Sequence, residues 1–398
     1  MMFDALTVLP SDPILGLMKL YRADPNPHKV DLGVGVYKNN EGQTPVMQAV
    51  TAAERNLLAK QTTKTYLTPL GNPAFVEHMQ QLIFGSSLMA LEGRIAAVQT
   101  PGGCGALRIA AELIKHANPK ASIWLSNPTW ANHKPLLGDA GVPIKHYSYL
   151  SASQTTLDWP AMQAALESIP AGDVVLLHAC CHNPTGVDLT FEQWQWVAQT
   201  AQAKGFIPFI DMAYQGFGDS LAADAAGLRH IFAAVPEALL AVSCSKNFGL
   251  YRERVGLVAT LCATAQQAQA AQSHFEGIVR GIYSMPPNHG AAIVAEILQD
   301  TSLTQQWETE LTQMQQRIQN LRNDFVRNMN ALGVQGFDFV NQQKGMFSYL
   351  GIHAEQVAWL AQHKSIYLLS NSRASIAGLN QDNVSYVCEA LAVSLNQA

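Results

Sequence analysis

One segment of the chain, residues 243–256, places a lysine among groups that bind anions. Its sequence is Ser-Cys-Ser-Lys-Asn-Phe-Gly-Leu-Tyr-Arg-Glu-Arg-Val-Gly, so Ser243 and Ser245 precede Lys246 and Arg254 follows it. A lysine amine becomes a nucleophile when its surroundings lower its pKa or hold it against a carbonyl group. The apolar run 238–242 predicts a β-strand that ends just before the lysine. These residues indicate a reactive amine beside an anion site.

A second predicted strand end carries a carboxylate and a phenol. Asp211 closes the apolar run 206–210, and Tyr214 follows it in the same turn. Capping a helix is the common role of such an aspartate. Because ligands bind at the carboxyl ends of parallel strands, and Lys246 follows another strand, a site shared with Lys246 is favoured. A buried carboxylate there needs a cation as its partner.

Glycines occupy the turn between a predicted strand at 95–99 and a predicted helix at 106–115. In this turn, Gly-Gly-Cys-Gly-Ala-Leu at 102–107, backbone N–H groups at the helix start could bind a phosphate. A tight turn without a ligand requires glycine as often, so both interpretations stay open. A nucleophilic role for Cys104 is disfavoured, because no acid and histidine occur in a recognisable order.

Cys180, Cys181 and His182 form a cluster that could suggest a metal. Adjacent cysteines cannot easily both bind one tetrahedral ion, and no second Cys/His pair lies at zinc spacing. We therefore expect these residues to pack in the core, and we expect no metal site.

Composition argues against several classes of protein. The chain has 398 residues, of which 48% are hydrophobic, and its net charge of −5 disfavours a nucleic-acid partner. No apolar run is long enough to cross a bilayer, and residues 1–10 lack the pattern of a signal peptide. The six cysteines show no CxxC pair and no disulfide framework. A cytoplasmic protein without a membrane partner is expected.

Short β-type runs alternate with amphipathic helical windows between about residues 95 and 261. This alternation predicts an α/β domain with a mostly parallel sheet. A long amphipathic helix is predicted at 301–332. Short β-type pieces and one helix are predicted after it, at 337–340, 346–350, 354–363 and 366–369. The C-terminal part therefore predicts a separate α+β lobe.

In these motifs the chain resembles the class I, fold-type I pyridoxal-phosphate aminotransferases of the aspartate and aromatic amino acid type. The resemblance extends over nearly the whole chain, with matching stretches in the family's order at residues 31–37, 66–67, 102–107, 127–133, 182–186, 211–216, 243–256, 280–290 and 371–373. It implies an N-terminal arm at 1–12 and a large α/β domain at 45–313 that binds the cofactor on a mostly parallel seven-stranded sheet. A smaller α+β domain would comprise 13–44 and 314–398.

The resemblance implies catalytic roles residue by residue. Lys246 would bond covalently to pyridoxal 5′-phosphate and afterwards carry the proton at the substrate Cα. Asp211, supported by His133, would pair with the pyridine nitrogen and make the ring a better electron sink. Asn183 and Tyr214 would donate hydrogen bonds to the phenolic oxygen of the ring.

The resemblance also implies the remaining cofactor contacts. Trp130 would stack on the ring, where it also adjoins the substrate. The phosphate would be held by residues of the Gly-rich turn, of the lysine segment and of a neighbouring subunit, namely Gly103, Cys104, Ser243, Ser245, Arg254 and the partner subunit's Tyr66. A homodimer whose active sites are shared between its subunits is therefore implied.

Two arginines would bind the carboxylates of amino acid and 2-oxo acid substrates. Arg373, with Asn183 and the Gly35 amide, would bind the α-carboxylate, and the partner subunit's Arg280 would bind a side-chain carboxylate. The implied reaction moves an amino group from L-aspartate, and from aromatic amino acids, to 2-oxoglutarate in a ping-pong mechanism. An aminotransferase that acts mainly on tyrosine and phenylalanine is the alternative.

Three positions depart from the family's pattern. Cys104 stands where Thr or Ser is common, which would weaken one contact to the phosphate. Met285 replaces a small polar residue near the site entrance, and Ser372 stands where glycine is frequent. Cys104 and Met285 leave the side-chain preference of the enzyme open.

Overall fold

The structure is a computed structural model that describes residues 1–9, 13–151, 153 and 155–396. The chain divides into two compact units. The larger unit comprises Pro45–Arg317 and Gln343–Gly345, and the smaller unit comprises Met1–Thr44, Ile318–Gln342 and Met346–Ala398. Residues 10–12 of the predicted N-terminal arm and the last two residues of the predicted small domain lie outside the described residues. The predicted arm and domain boundaries stay a prediction.

A seven-stranded sheet forms the centre of the larger unit. Its strands lie side by side in the order Ile95–Pro101, Val255–Leu261, Ala238–Ser243, Ile207–Met212, Val174–His178, Ile123–Asn127 and Ile144–Ser148. Val255–Leu261 is antiparallel to both of its neighbours, and the other neighbouring strands pair in parallel. The predicted α/β architecture with a mostly parallel sheet is confirmed.

The central strands form because their residues are apolar on both faces. Every residue of Ala238–Ser243 and of Val255–Leu261 is buried, which is typical of strands covered on both sides. The edge strand Ile144–Ser148 differs, because most of its side chains are exposed or half-buried. Its sequence, Ile-Lys-His-Tyr-Ser, contains no apolar run, and no strand was predicted there.

Helices connect the strands, and several pack directly on the sheet. Those of the larger unit are Gln48–Lys60, Pro73–Phe84, Gly102–Ala117, His133–Gly138, Trp159–Glu167, Phe191–Lys204, Leu221–Asp224, Ala226–Ala234, Ala265–Ile282 and Asn288–Gln299, with the 3-10 helix Gly85–Leu91. The helix Phe191–Lys204 begins with a capping box formed by Thr190 and Gln193. It ends at Gly205, which has a left-handed φ of 78°. Among the described residues, no helix is both long and apolar enough to span a bilayer.

The smaller unit combines helices with two short sheets. Val30–Asp31 pairs in parallel with Ile366–Tyr367, and Phe347–Tyr349 pairs antiparallel with Arg373–Ser375. Its remaining elements are the helices Pro13–Ala23, Ala354–Lys364 and Val384–Ser394 and the 3-10 helices Asp338–Asn341 and Ile376–Gly378. The long helix Thr301–Ala331 confirms the helix predicted at 301–332, and its C-terminal part belongs to this unit.

The β-type piece predicted at 337–340 is wrong, because the chain forms the 3-10 helix Asp338–Asn341 there. Instead of pairing with another strand, this segment accepts a hydrogen bond from a buried arginine. Arg322 donates from Nη1 to the Val340 carbonyl oxygen at 2.9 Å and to Ser348 Oγ at 2.6 Å. Its Nη2 donates to the Phe347 carbonyl oxygen at 2.7 Å. One side chain of the long helix therefore links the 3-10 helix Asp338–Asn341 to the strand Phe347–Tyr349.

We expect Arg322→Met to lower the free energy of unfolding by roughly 2–4 kcal/mol, because it leaves buried acceptors without their charged donor. Urea denaturation of the purified protein measures this change. Arg327→Met on the same helix is the control, since the Arg327 side chain is 73% exposed. Its ion pair with Asp324 should be worth less than about 1 kcal/mol. Equal losses in the two variants would show that burial of Arg322 is unimportant.

Candidate active site

The residues predicted to share a site lie at one edge of the sheet. Asp211, Asn183 and Lys246 each lie at or just beyond the end of one of three neighbouring parallel strands. Tyr214 follows Asp211, is 5% exposed, and places its ring centroid 4.7 Å from Lys246 Nζ. The carboxyl ends of the strands thus bring together an amine, a carboxylate and a phenol ring.

The surroundings of Lys246 favour a neutral amine. Burial lowers the pKa of this lysine, and the nearby Arg254 lowers it further. Asp211 and Cys104 act in the opposite direction, but burial outweighs them. A lowered pKa increases the fraction of the amine that is uncharged at neutral pH, and the uncharged amine is the form that attacks a carbonyl carbon.

A continuous chain of hydrogen bonds ends on Asp211. The Asn183 N–H donates to His178 Nδ1 at 3.3 Å, and His178 Nε2 lies 3.4 Å from Thr129 Oγ1. Thr129 Oγ1 lies 2.8 Å from His133 Nδ1, and His133 Nε2 lies 3.0 Å from Asp211 Oδ2. An ionised carboxylate only accepts hydrogen bonds, so the chain assigns protons to His133 Nε2, Thr129 Oγ1 and His178 Nε2.

These hydrogen bonds favour the charged form of Asp211. Burial alone would raise the pKa of the Asp211 carboxyl, but the hydrogen bond from His133, with His178 and Lys246 nearby, lowers it overall. Burial and the neighbouring His133 lower the pKa of His178 to about 3, so His178 is neutral. Asp211 is therefore a buried anion that can stabilise a cation at the sheet edge.

His133 was predicted through the resemblance, but His178 and Thr129 were not. His178 is the last residue of its strand and lies directly opposite Asp211 in the parallel pairing. A polar residue at the end of each of two neighbouring apolar runs is the signal that could have found it. Thr129 carries no comparable signal, because its role depends on the two histidine rings between which it lies.

The Gly-rich turn packs against the arginine of the lysine segment. A Cβ atom at Gly102 would lie 2.3 Å from Arg254 Nη2, and one at Gly103 would lie 3.0 Å from Ser243 Cβ. Arg254 Nη1 also donates to Ser245 Oγ at 3.3 Å. The turn begins the helix Gly102–Ala117, whose first N–H groups have no partner within the helix. A helix N-terminus, two hydroxyls and a guanidinium together fit a phosphate group.

Arg254 has the features of a residue kept for binding. Its φ is 56°, a left-handed conformation that costs energy in a residue other than glycine and is retained mostly at functional sites. Across the described part of the chain, no carboxylate lies within ion-pair distance of its guanidinium. Among the described residues, no anion neutralises the Arg254 guanidinium. This favours the interpretation that the Gly-rich turn binds a phosphate over the interpretation that it is a tight turn without a ligand.

Trp130 and Cys104 adjoin the same group of residues. Trp130 packs edge to face on His133, with ring centroids 5.3 Å apart at 84°. The Cys104 thiol accepts a long hydrogen bond from Asn132 Nδ2, at 3.9 Å. Because this contact comes from an amide and not from a histidine base, the nucleophile interpretation of Cys104 gains no support.

Cys180 and Cys181 meet a carboxylate that was not predicted to join them. Their sulfurs and an oxygen of Asp224 all lie within 4.8 Å of one another, and all three residues are buried. The hydrogen bond with Cys181, and burial, raise the pKa of Cys180. The Asp224 carboxylate already accepts three backbone N–H groups, from Gly216, Gly218 and Asp219. A Cys180 thiol of raised pKa, beside a carboxylate that already accepts three hydrogen bonds, favours packing over metal binding.

Arg373 and Gly35 lie in the smaller unit, where Phe347 contacts both. Arg373 is 3% exposed, donates from Nη2 to the Gly33 carbonyl oxygen at 2.6 Å, and lies 4.2 Å above the Phe347 ring. A Cβ atom at Gly35 would lie 2.9 Å from Phe347 Cζ. A cation held against an aromatic face keeps a fixed orientation. Phe347 was not predicted as a site residue, since one aromatic residue in a short strand carries no distinct signal.

Ser372 shows why glycine is frequent before this arginine. Its φ is 70°, in the left-handed region that glycine adopts at little cost. Its hydroxyl accepts a hydrogen bond from the Ile352 N–H at 3.1 Å, and its own N–H donates to the Leu369 carbonyl oxygen at 2.9 Å. These hydrogen bonds offset part of the conformational cost of a serine here.

Tyr66 and Arg280 lie on the surface of the larger unit. Tyr66 is 89% exposed, and the exposed Arg280 donates a hydrogen bond to Ser284 Oγ. Within the part of the chain that the structure describes, neither residue forms a hydrogen bond or ion pair with Lys246 or Asp211. The structure therefore does not bring these two predicted residues to the others within this chain.

The chain is similar to known aminotransferases over nearly its whole length. The family described as aminotransferase class I and II matches residues 27–391. An aspartate aminotransferase of Salmonella typhi is 46% identical over 396 residues, which cover 99% of this chain and 100% of the relative. An aromatic-amino-acid aminotransferase of Pseudomonas aeruginosa is 45% identical over 392 residues, which cover 98% of both chains.

Among solved structures, one of the most similar is an aromatic-amino-acid aminotransferase from Burkholderia pseudomallei covalently bound to pyridoxal phosphate. It superposes with a TM-score of 0.97 at 41% identity, and the match covers 99% of this chain and 100% of that chain. Matches of this extent identify the family and the fold together. The chain belongs to the class I and II aminotransferases.

Proposed function

We infer that this aminotransferase uses pyridoxal 5′-phosphate to move the amino group of L-aspartate, and of aromatic amino acids, to 2-oxoglutarate in a ping-pong mechanism. The observation that carries the proposal is a lysine of lowered pKa close to both a buried anion, Asp211, and an anion site at Arg254. Relatives named for aspartate and for aromatic amino acids support both donor classes.

The residues of this edge fit the cofactor. The phosphate suits the anion site formed by Gly103, Cys104, Ser243, Ser245 and Arg254, and a protonated pyridine nitrogen suits the buried carboxylate of Asp211. Asn183 and Tyr214 are assigned to the phenolic oxygen, and Trp130 to the face of the ring. When bound, pyridoxal phosphate supplies an electron sink for charge that develops at the substrate Cα.

The protein's own groups bind the cofactor and move the proton. Lys246 is the residue assigned to hold the cofactor covalently, and its amine, once free, would carry the proton between the substrate Cα and C4′ of the cofactor. A base works best when its pKa lies near the operating pH, which is the direction in which burial shifts Lys246. The hydrogen bond from His133 lowers the pKa of Asp211, which favours the carboxylate form, and the Tyr214 ring lies 4.7 Å from the lysine amine.

The substrate carboxylates are assigned to arginines. Arg373, with Asn183 and the Gly35 amide, is the proposed partner of the α-carboxylate. Its guanidinium lies 4.2 Å above the Phe347 ring, a cation–π contact that favours one orientation of the side chain. Arg280 is the proposed partner of a side-chain carboxylate. Its exposure in this chain supports a role across a subunit boundary.

A homodimer with shared active sites is therefore part of the proposal. The exposed Tyr66 ring and the exposed Arg280 support it, since each would reach the active site of the partner subunit. We assign residues 1–12 as an N-terminal arm, 13–44 with 314–398 as the small domain and 45–313 as the large cofactor-binding domain. The compact units of the chain support the boundary between residues 44 and 45, and they divide four residues after the one proposed between 313 and 314. We place the enzyme in the cytoplasm, on the reducing environment that its cysteines indicate.

Arg280→Ala is expected to lower kcat/KM for aspartate by about 100-fold, because a lost charge-assisted contact costs about 3 kcal/mol. The value for phenylalanine should change by less than about fivefold, since its side chain has no carboxylate to pair. Steady-state kinetics with each donor and 2-oxoglutarate measure both values. Arg327→Ala, an exposed arginine of the smaller unit, serves as the control. An equal decrease of kcat/KM for the two donors would show that Arg280 does not bind the side-chain carboxylate of the substrate.

The same assay on the unchanged enzyme separates the two donor preferences. A higher kcat/KM for aspartate than for tyrosine and phenylalanine supports the main proposal. The reverse order supports an enzyme that acts mainly on aromatic amino acids, an alternative favoured by the apolar Met285 beside Ser284. Formation of glutamate and oxaloacetate in equal amounts from aspartate and 2-oxoglutarate tests transamination itself against elimination or decarboxylation.

A further inference from the structure

Two histidines on neighbouring helices face each other far from the site at Lys246. His116 lies in the last turn of the helix Gly102–Ala117, and His274 lies in the helix Ala265–Ile282, which packs beside it. Since the Gly-rich turn begins the first of these helices, the pair lies about 20 Å from the anion site. Both side chains are exposed, so they are open to an ion from solution.

The ring nitrogens are spaced as two ligands of one metal ion. His116 Nδ1 and His274 Nδ1 are 3.3 Å apart, and the ring centroids are 5.4 Å apart at 66°. Two nitrogens bound at 2.0–2.1 Å to one tetrahedral ion are separated by about 3.3 Å. Within the described residues this contact is the one hydrogen bond of either ring, so no protein group there competes with an ion for the two nitrogens.

A cavity adjoins the pair and leaves room for further ligands. It has a volume of about 450 Å³ and is lined by both histidines and, among others, by Glu237, Cys262 and Thr260. The strand ends that line this cavity are at the side of the sheet opposite to the strand ends near Lys246. Water or a small molecule can therefore complete the coordination of an ion held by the two imidazoles, as in metal sites that keep an open position.

We propose that His116 and His274 form a binding site for one divalent transition-metal ion, with its open coordination positions facing the cavity. Imidazole nitrogens select Zn²⁺, Ni²⁺ and Cu²⁺ over Mg²⁺ and Ca²⁺, which prefer oxygen. The site is separate from the aminotransferase chemistry, and its occupation does not depend on the cofactor. The bound ion could in turn hold a water or a small molecule in the cavity, on the side of the sheet away from Lys246.

Calorimetric titration of the tag-free holoenzyme with Ni²⁺ tests the proposal. We expect one ion per chain, tighter binding of Cu²⁺ than of Ni²⁺, and no binding of Mg²⁺. His116→Asn and His274→Asn should each remove detectable Ni²⁺ binding. His28→Asn, at an exposed histidine of the smaller unit, should leave it unchanged.

A second measurement separates loss of the site from loss of the fold. Without metal, the two variants should melt at the same temperature as the unchanged enzyme, because both side chains are exposed. Excess Ni²⁺ should raise the melting temperature of the unchanged enzyme and of His28→Asn, and of neither site variant. Retention of one bound ion in His116→Asn or His274→Asn would overturn the proposal. Loss of binding in Cys180→Ser alone would overturn it too, by placing the ion at the buried cysteines.

Discussion

The Lys246→Ala variant is expected to lose transamination by a factor of at least about 10⁴, because in the proposed mechanism one amine both holds the cofactor and moves the proton at the substrate Cα. Binding of pyridoxal phosphate without a covalent bond should persist, since Arg254, Ser243 and the Gly-rich turn are unchanged. Formation of glutamate from aspartate and 2-oxoglutarate measures the first effect. Equilibrium dialysis of the cofactor measures the second.

Lys145→Ala is the matched control for this variant. Lys145 belongs to the same sheet, but its side chain is 45% exposed and lies on the edge strand. Its replacement should leave turnover unchanged. Turnover of Lys246→Ala within tenfold of the unchanged enzyme would contradict the assignment of this lysine. Loss of cofactor binding in Lys246→Ala would show instead that the anion site is too weak to hold the phosphate by itself.

The second large effect is expected from Asp211→Asn, which removes the charge and keeps the shape. His133 Nε2 can still donate to the amide oxygen, so the hydrogen-bond chain from Asn183 survives. A protonated ring nitrogen, by contrast, loses its anionic partner at a buried position. We expect kcat to fall roughly 100- to 1000-fold, the factor that corresponds to about 3–4 kcal/mol.

Steady-state kinetics with saturating aspartate and 2-oxoglutarate measure this change in kcat. Asp139→Asn, at an exposed aspartate just beyond the helix His133–Gly138, should leave kcat unaltered. Unchanged kinetics in Asp211→Asn would be incompatible with a charge-dependent role. A loss of stability together with the loss of kcat would indicate that the carboxylate acts mainly on the fold.

The positions of the reactive groups were predictable because they depend on strand ends. An apolar run that stops at a polar residue defines the end of a buried strand, and parallel strands end at one edge. The strand ends in the amino-acid sequence therefore place Lys246 and Asp211 together, and the resemblance adds Asn183. The family and the fold class predicted from these motifs are confirmed. The edge strand Ile144–Ser148 escaped this reasoning because solvent replaces apolar neighbours on most of its residues.

The supporting groups were not predictable, since they depend on contacts between residues distant in the sequence. The link from His178 through Thr129 to His133 requires the register of two strands and the orientation of two rings. Phe347 acquires its place only when its strand pairs with the one that begins at Arg373. In each case the residue type is ordinary, and geometry alone gives it a role.

The direction of one strand explains how a single segment can anchor a ligand in two ways. Because Ala238–Ser243 and Val255–Leu261 are antiparallel, the first ends and the second begins at the same edge of the sheet. The chain between them turns back without crossing the sheet, and it delivers Lys246 and Arg254 to one place. If Val255–Leu261 ran the other way, Arg254 would stand roughly 20 Å away, and a crossover of about a dozen residues or more would be needed. The proposed covalent anchor follows one strand and the ionic anchor precedes its neighbour, so the register between these two strands sets the distance between the two anchors.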